Sequence, residues 1–204
     1  MTLTSAPSRD HPVYAKVAAS TPSDRAGSPI YYVGWADTAA LVRSTLAARF
    51  PGTKFYVRSD SYSGGASVNV WYDGTVTNAW TRVDSDDKPY GPVVTNYADV
   101  DHRDGRWAPV LKAGAPRSRD VKDALAGFSG RRFDGMIDLG YSVSSWLNPD
   151  GTATLGDSSG TLGSRGSDPA FSFSRTHPRA LLVHFLASYV FVNDHLPYGV
   201  KGGS

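Results

Sequence analysis

Between Trp35 and Tyr72 the chain commits to three elements in succession, and the rest of the fold must accommodate them. Asp37 stands ahead of Thr38-Ala39-Ala40-Leu41, where a short carboxylate can accept from the unpaired N–H groups that begin a helix. Leu41, Val42, Thr45, Leu46, Arg49 and Phe50 then recur at three- and four-residue steps, so their apolar members share one face. Pro51-Gly52 ends the helix. Phe55 and Val57 alternate with Lys54, Tyr56 and Arg58, and Val68, Val70 and Tyr72 alternate with Ser67, Asn69 and Trp71. A period of two marks half-buried strands. The two runs are expected to pair antiparallel across the loop Ser61-Tyr62-Ser63-Gly64-Gly65, one face on the helix and the other open to solvent or a partner.

The remaining segments extend this unit into an α+β domain, an antiparallel sheet packed against helices, over residues 29–196. Residues 1–28 carry few large apolar groups and read as a flexible N-terminal arm. Ile30-Tyr31-Tyr32-Val33 is a short extra strand of the same sheet. Asp73-Gly74 is a favoured two-residue hairpin turn, and residues 75–83 follow as a third strand, with a helix as the competing reading. Residues 84–92, with Lys88-Pro89-Tyr90-Gly91-Pro92, read as a loop. Strands are expected at 93–97 and 107–111, flanking a charged turn at 101–105. Ser118 can cap a second helix over 119–128 whose inward residues are Val121, Leu125 and Phe128, and Phe133 to Leu139 turns into a strand. A second hairpin is expected around Asn148-Pro149-Asp150-Gly151, then a Gly- and Ser-rich mobile loop at 156–169. Thr176 and Pro178 can open a last helix running to about Asn193, apolar around most of its circumference and so a surface through which a homodimer can form. Residues 197–204 are a tail.

Composition narrows function. The chain has 204 residues, enough for one core without staples, and 21 Lys and Arg against 19 Asp and Glu leave a formal charge of +2. No global basic field argues for nucleic acid or an anionic membrane. Without cysteine there are no disulfides, thiolate metal sites or Cys nucleophile. The N-terminal stretch has no apolar signal-like core, and the apolar run at 180–192 is too short to span a bilayer, so a cytoplasmic protein of a bacterial host is expected.

The ordered series Thr53-Lys54-Phe55-Tyr56-Val57-Arg58, Tyr62-Ser63-Gly64-Gly65-Ala66-Ser67-Val68-Asn69-Val70-Trp71, Asp73-Gly74, Phe128-Ser129-Gly130 and Phe133-Asp134-Gly135-Met136-Ile137-Asp138 resembles the twenty-ninth family of large polyvalent protein-associated domains, over roughly residues 35–139. These are small α+β modules of phages and conjugative plasmids, often joined to antirestriction or DNA-handling modules. The resemblance implies a mobile-element accessory protein that acts by binding a host or mobile-element protein, in counter-defence such as anti-restriction or anti-CRISPR. It carries over no catalytic residues. Residues 84–117 depart from the family pattern as an insertion.

Candidate sites each have a structural alternative. Lys54, Arg58 and Tyr62 beside Gly64-Gly65 can hold a phosphate on backbone N–H groups, or the glycines simply provide a positive-φ turn. Tyr56 and Trp71, with Lys54 and Arg58, can stack and neutralise an unpaired strand of DNA or RNA, which makes a nucleic-acid module the alternative function; packed aromatics look the same in sequence. Asp134 and Asp138 can form an acid/base pair or merely end a turn and a strand, and His102 among Asp101 and Asp104 can act as a base or sit in a charged turn. Asp99 to Val110 fails as a calcium loop because Arg103 and Val110 occupy ligand positions. His177 and His184 read as structural imidazoles. No motif implies a cofactor or metal, and an enzyme is the least supported of the three readings.

Overall fold

Pro12 at a first turn and His11 as its cap, accepting from the Val13 N–H through Nδ1 at 3.2 Å, start a helix at the N-terminus. In the computed structural model, which describes residues 9–25, 28–85, 88–133, 138–142, 144–155 and 177–196, this is α1 (Pro12–Ala18). Val13, Tyr14 and Val17 share its inner side and are buried in the main core. Residues 12–25, expected within a flexible arm, are thus part of the fold: three apolar groups in seven residues suffice because they land on one side. The Tyr14 hydroxyl donates to the Arg179 carbonyl and the His11 N–H to the Pro149 carbonyl. β1 (Ser23–Arg25) then pairs antiparallel with β2 (Ser28–Val33).

The next helix, α2 (Trp35–Arg49), is entered from extended backbone at Gly34 with no side-chain cap. Asp37 lies inside the first turn rather than before it, where its charge complements the helix dipole and meets Lys16 Nζ at 2.7 Å. Leu41, Val42 and Leu46 are buried as their spacing requires, and Gly52, at φ +94°, turns the chain after the last residue. β3 (Phe55–Tyr62) and β4 (Gly65–Tyr72) pair antiparallel from Phe55 opposite Tyr72 to Tyr62 opposite Gly65. The connection is therefore only Ser63-Gly64, with Gly64 at φ +95°. Phe55 and Val57 pack against the core that contains Leu46 and Val68.

Asp73-Gly74 does not make a hairpin. β5 (Thr75–Val83) leaves β4 and forms a separate sheet with β6 (Pro89–Val94) and β7 (Arg106–Leu111), in the order β6-β5-β7. The expected loop at 84–92 gives way in part to β6, where proline is tolerated because the strand lies at an edge. Short 3₁₀ turns at Tyr97–Asp99 and His102–Asp104 carry the charged connection.

α3 (Ser118–Leu125) is capped by Arg117 without a side-chain bond, not by Ser118, and passes into a 3₁₀ turn at Ala126–Phe128. Val121, Leu125 and Phe128 are buried as expected. β8 (Arg131–Phe133) pairs with β9 (Asp138–Ser142), and β10 (Ser145–Leu147) with β11 (Ala153–Leu155) across the Asn148–Gly151 turn. Ile137, Thr176, the loop at 156–169 and the tail at 197–204 lie outside the described residues.

The expected C-terminal helix is instead two strands, β12 (Leu181–Phe185) and β13 (Tyr189–Asn193), so the proposed helix-mediated homodimer loses its surface. A segment apolar at nearly every position fits strands as well as a buried helix, and its Val, Phe and Tyr content favours the strand. β12 lies parallel to β2 and antiparallel to β10, giving a sheet in the order β1-β2-β12-β10-β11. β13 lies parallel to β4, giving β13-β4-β3. Neither strand joins a sheet shared by β2 and β3, which belong to different sheets. The α+β class stands, with mostly antiparallel pairing and helices against the sheets.

Gly130 N–H donates to the Ala187 carbonyl at 2.8 Å, and a Cβ there would lie far inside van der Waals contact with the Phe185 carbonyl oxygen. A backbone obstacle cannot swing away. Gly130→Ala is expected to lower the free energy of unfolding by about 2–3 kcal/mol. Gly64→Ala, which meets open space and only the unfavourable φ, should cost about 1 kcal/mol. Urea denaturation monitored by tryptophan fluorescence measures both.

Candidate functional site

Alternation along β3 and β4 sends two sets of side chains to opposite sides. Phe55, Val57, Val68, Val70 and Tyr72 turn to the core, while Tyr56, Arg58, Asp60 and Tyr62 share the other face with Gly65, Ser67, Asn69 and Trp71. Tyr56 lies opposite Trp71, Arg58 opposite Asn69, and Asp60 opposite Ser67. β13 extends this face: Tyr189 is in register with Ser67, Phe191 with Asn69 and Asn193 with Trp71. The Tyr189 and Phe191 ring centroids are 5.6 Å apart, Phe191 is 39% exposed and Tyr62 50%. Five aromatic rings thus share one outward surface of three strands.

Its charges are mostly internally matched. Arg58 Nε reaches Asp60 Oδ1 at 2.8 Å, and Asn69 Nδ2 donates to Asp60 Oδ2 at 3.1 Å and to Ser67 Oγ at 3.2 Å. Lys54 Nζ sits 5.1 Å from the Tyr56 ring centroid, a cation–π geometry. Of the residues singled out in the sequence, Tyr56, Arg58, Tyr62 and Trp71 come together on this face, with Lys54 at one end. Gly64 and Gly65 are at the other end, roughly 25 Å from Lys54 at about 3.3 Å per strand residue. A phosphate cradle combining them does not assemble. Gly65 is small for packing, since a Cβ would lie 3.1 Å from the Tyr62 ring and 3.2 Å from Ser188 Oγ. The apolar pattern at 178–193 fits a helix, and a helix would not place Tyr189, Phe191 and Asn193 beside β4. Their alternation with Val190 and Val192 is the period-two signal that reveals them.

The other candidates do not converge. Asp101 Oδ1 accepts from the Arg103 N–H at 2.9 Å, Asp104 pairs with Arg82, and His102 Nε2 faces the Tyr97 hydroxyl at 3.2 Å. His102 therefore has a phenol, not a carboxylate, as its close partner. Asp134 and the side chain of Asp138 lie outside the described residues. His177 Nδ1 accepts from the Arg179 N–H at 3.0 Å, and the His184 ring meets Tyr32 edge-on. Among the described residues no three His, Asp or Glu side chains are grouped to hold a metal ion, and no helix is long and apolar enough to cross a membrane.

Residues 33–92 match the family model described as large polyvalent protein associated domain 29. The matched segment contains α2, β3, β4, β5 and the start of β6. It is shorter than the resemblance read from the sequence, and the motifs at 128–138 fall outside it. The match covers less than a third of the chain and likens that segment to this family. Neither a curated protein nor a solved structure matches the chain.

On the underside of β4, the Tyr72 hydroxyl donates to the Pro116 carbonyl at 3.2 Å. Burial, then the nearby Asp194 and Asp120 carboxylates, raise its pKa above the ordinary phenol value, while a hydrogen bond with Ser118 works against them. The folded state holds the proton more tightly than the unfolded state. Tyr72 therefore favours folding fully below the unfolded pKa of about 10 and progressively less as pH rises toward the folded value. Stability measured in urea should fall with pH above about 10. Tyr72→Phe, although less stable at neutral pH, should show a shallower alkaline decline.

Proposed function

We propose that this chain is a mobile-element accessory protein that acts by binding, in counter-defence within a bacterial host, and that the outward face of β3, β4 and β13 meets its protein partner. The observation that supports this is one surface bearing Tyr56, Tyr62, Trp71, Tyr189 and Phe191 around Arg58. Aromatic residues and arginine are the side chains enriched at protein interfaces, where large rigid rings bury area at small entropic cost. The pairing of Arg58 with Asp60 favours a protein over a polyanion, since the two charges largely cancel and only Lys54 remains as a cation at the margin. Each half of that pair can be used by a complementary charge on a protein.

A second reading, unpaired DNA or RNA on the same face, is favoured by Tyr56 directly opposite Trp71 with Lys54 over the Tyr56 ring. Bases stack on such rings with about 1–3 kcal/mol each.

The two readings separate in one set of variants. A protein co-purified from a bacterial host lysate by the wild-type chain should be lost on Phe191→Asp and on Trp71→Ala, and retained on Lys122→Ala in α3. Capture that survives both face substitutions overturns the proposed surface. Fluorescence anisotropy with labelled oligothymidylate tests the alternative: two phosphate contacts, from Lys54 and Arg58, require log affinity to fall with log salt at a slope of about −1.4. Absence of binding at low salt removes it.

A further inference from the structure

A strand at the margin of a sheet leaves a row of N–H and C=O groups unpaired, and most marginal strands here are short or carry proline. β1, β8 and β11 are three residues each, β6 carries Pro89 and Pro92, and β7 carries Pro109. β13 has α3 and β8 beside it. β3 is different: eight residues without proline, paired to β4 with no register shift, and the last strand of its sheet.

Which of its groups face outward follows from the turn. Tyr62 and Gly65 close a two-residue connection and bond to each other, so the alternation of an antiparallel ladder directs Tyr56, Arg58 and Asp60 to β4 as well. Val57, Ser59 and Ser61 turn their N–H and C=O groups away. The Arg43 guanidinium, donating to the Val57 carbonyl at 2.7 Å, reaches that oxygen from outside the ladder. A carbonyl accepts two bonds, so it can take another. Val57 and Ser59 are only half-buried and Ser61 is exposed, which leaves this margin open from the helix side too.

The margin also carries a charge pattern. Arg58 and Asp60 flank Ser59 with opposite signs, their side chains 75% and 39% exposed. Antiparallel pairing with a second β3, centred on Ser59, sets Ser59 opposite Ser59, Val57 opposite Ser61, Arg58 opposite Asp60 and Tyr56 opposite Tyr62. The first two pairings join the residues whose backbone groups face outward, so the phase of the hydrogen bonds is met. On the outward face each arginine then lies between two carboxylates, its own and that of the second copy. Opposite charges and aromatic rings are favourable cross-strand pairs, and like charges directly opposite are destabilising. A neutral strand would leave Arg58 and Asp60 matched only to each other; a copy of this chain matches both again.

We infer that this chain forms a two-fold dimer through β3, its sheets joined in the order β13-β4-β3-β3-β4-β13. The two outward faces become one continuous surface, with Tyr56 of one copy across from Tyr62 of the other. The inference rests on the margin of β3 alone and stands whether or not that surface meets another protein.

Sedimentation equilibrium of the full chain tests it. The average mass of the wild type should rise with concentration from that of one chain towards that of two. Arg58→Asp and Asp60→Arg should each raise the dissociation constant about tenfold or more, since like charges then oppose one another in a self-pair. Mixed in equal amounts, the two variants should associate with each other as the wild type does with itself, because one margin is then acidic and the other basic. A defect in the folding of either variant would not be repaired by mixing. Ser59→Pro removes an N–H that takes no part in the β3–β4 ladder and should abolish association; if it unfolds the chain, the mixing experiment carries the test. A wild-type chain that stays monomeric up to about 1 mM, a mixture that fails to associate, or a dimer that survives Ser59→Pro overturns the inference. A monomer whose capture of a lysate protein is lost on Ser59→Pro also overturns it, and assigns the margin to a strand of another protein.

Discussion

At Leu186-Ala187-Ser188 the chain leaves one sheet and enters another, and three backbone hydrogen bonds hold it there. Leu186 N–H donates to the Val33 carbonyl, Gly130 N–H to that of Ala187, and Ser188 N–H to that of Ala66. Each joins segments far apart in sequence, so this crossing links β2, the end of the 3₁₀ turn after α3, and the start of β4. A continuous helix over the same residues would use these groups internally and leave Val33 and Ala66 unpaired. The crossing is stabilised by what it buries: Val183, Phe185 and Ala187 are fully inside the core, and a large apolar side chain contributes about 1.5–3 kcal/mol on burial. Parallel pairing of β12 with β2 and of β13 with β4 has to be closed over most of the chain, which makes it a late and slow step of folding.

The same crossing completes the outward face. β3 and β4 belong to the family-matched segment and supply Tyr56, Tyr62 and Trp71, whereas Tyr189 and Phe191 arrive on β13 from outside it. A hairpin alone would expose one edge of β4 and be marginal in water. Adding β13 pairs that edge, widens the face by a strand and adds the Tyr189 and Phe191 rings to those of Tyr56, Tyr62 and Trp71. The outward aromatic face and the stabilising strand thus share one element, and substitutions on β13 must be judged by which side they alter: Val190 and Val192 pack on the core, Phe191 does not.

What the sequence made legible was local. The spacing of Leu41, Val42 and Leu46, the alternation through Phe55–Arg58 and Val68–Tyr72, and the turn at Asn148–Gly151 each encode their structure within a few residues, and all three form as read. The errors arose where distant pairing decides. Residues 181–193 are apolar at nearly every position, and the alternation on β13 sets aromatic rings rather than polar groups against valines, which blurs the period that separates strand from helix. Pro89 and Pro92 suggested a loop because the sequence cannot say that β6 would be an edge strand. Val13, Tyr14 and Val17 were too few to signal a helix by themselves, and gain their stability from the core contributed by later residues. The candidate face was partly legible for the same reason: Tyr56 and Trp71 follow from the hairpin, while Phe191 needs the parallel partner.

Gly74 shows how the small sheet depends on the crossing too. Its N–H donates to the Asp194 carbonyl, just beyond the end of β13, and its own carbonyl accepts from Lys112 N–H at the end of β7. The Thr75 hydroxyl adds a second bond to the Asp194 carbonyl, and Lys112 Nζ reaches the Asp73 carboxylate at 2.6 Å. Asp73-Gly74 therefore works as a joint between two sheets rather than as the tip of a hairpin. Both strands that leave the joint are anchored through a residue positioned by β13. If β13 is displaced, the small sheet loses its bonds at Gly74 and Thr75 along with the outward face, even though no residue of β5, β6 or β7 has changed. The C-terminal strand thus carries stability for parts of the molecule it never pairs with.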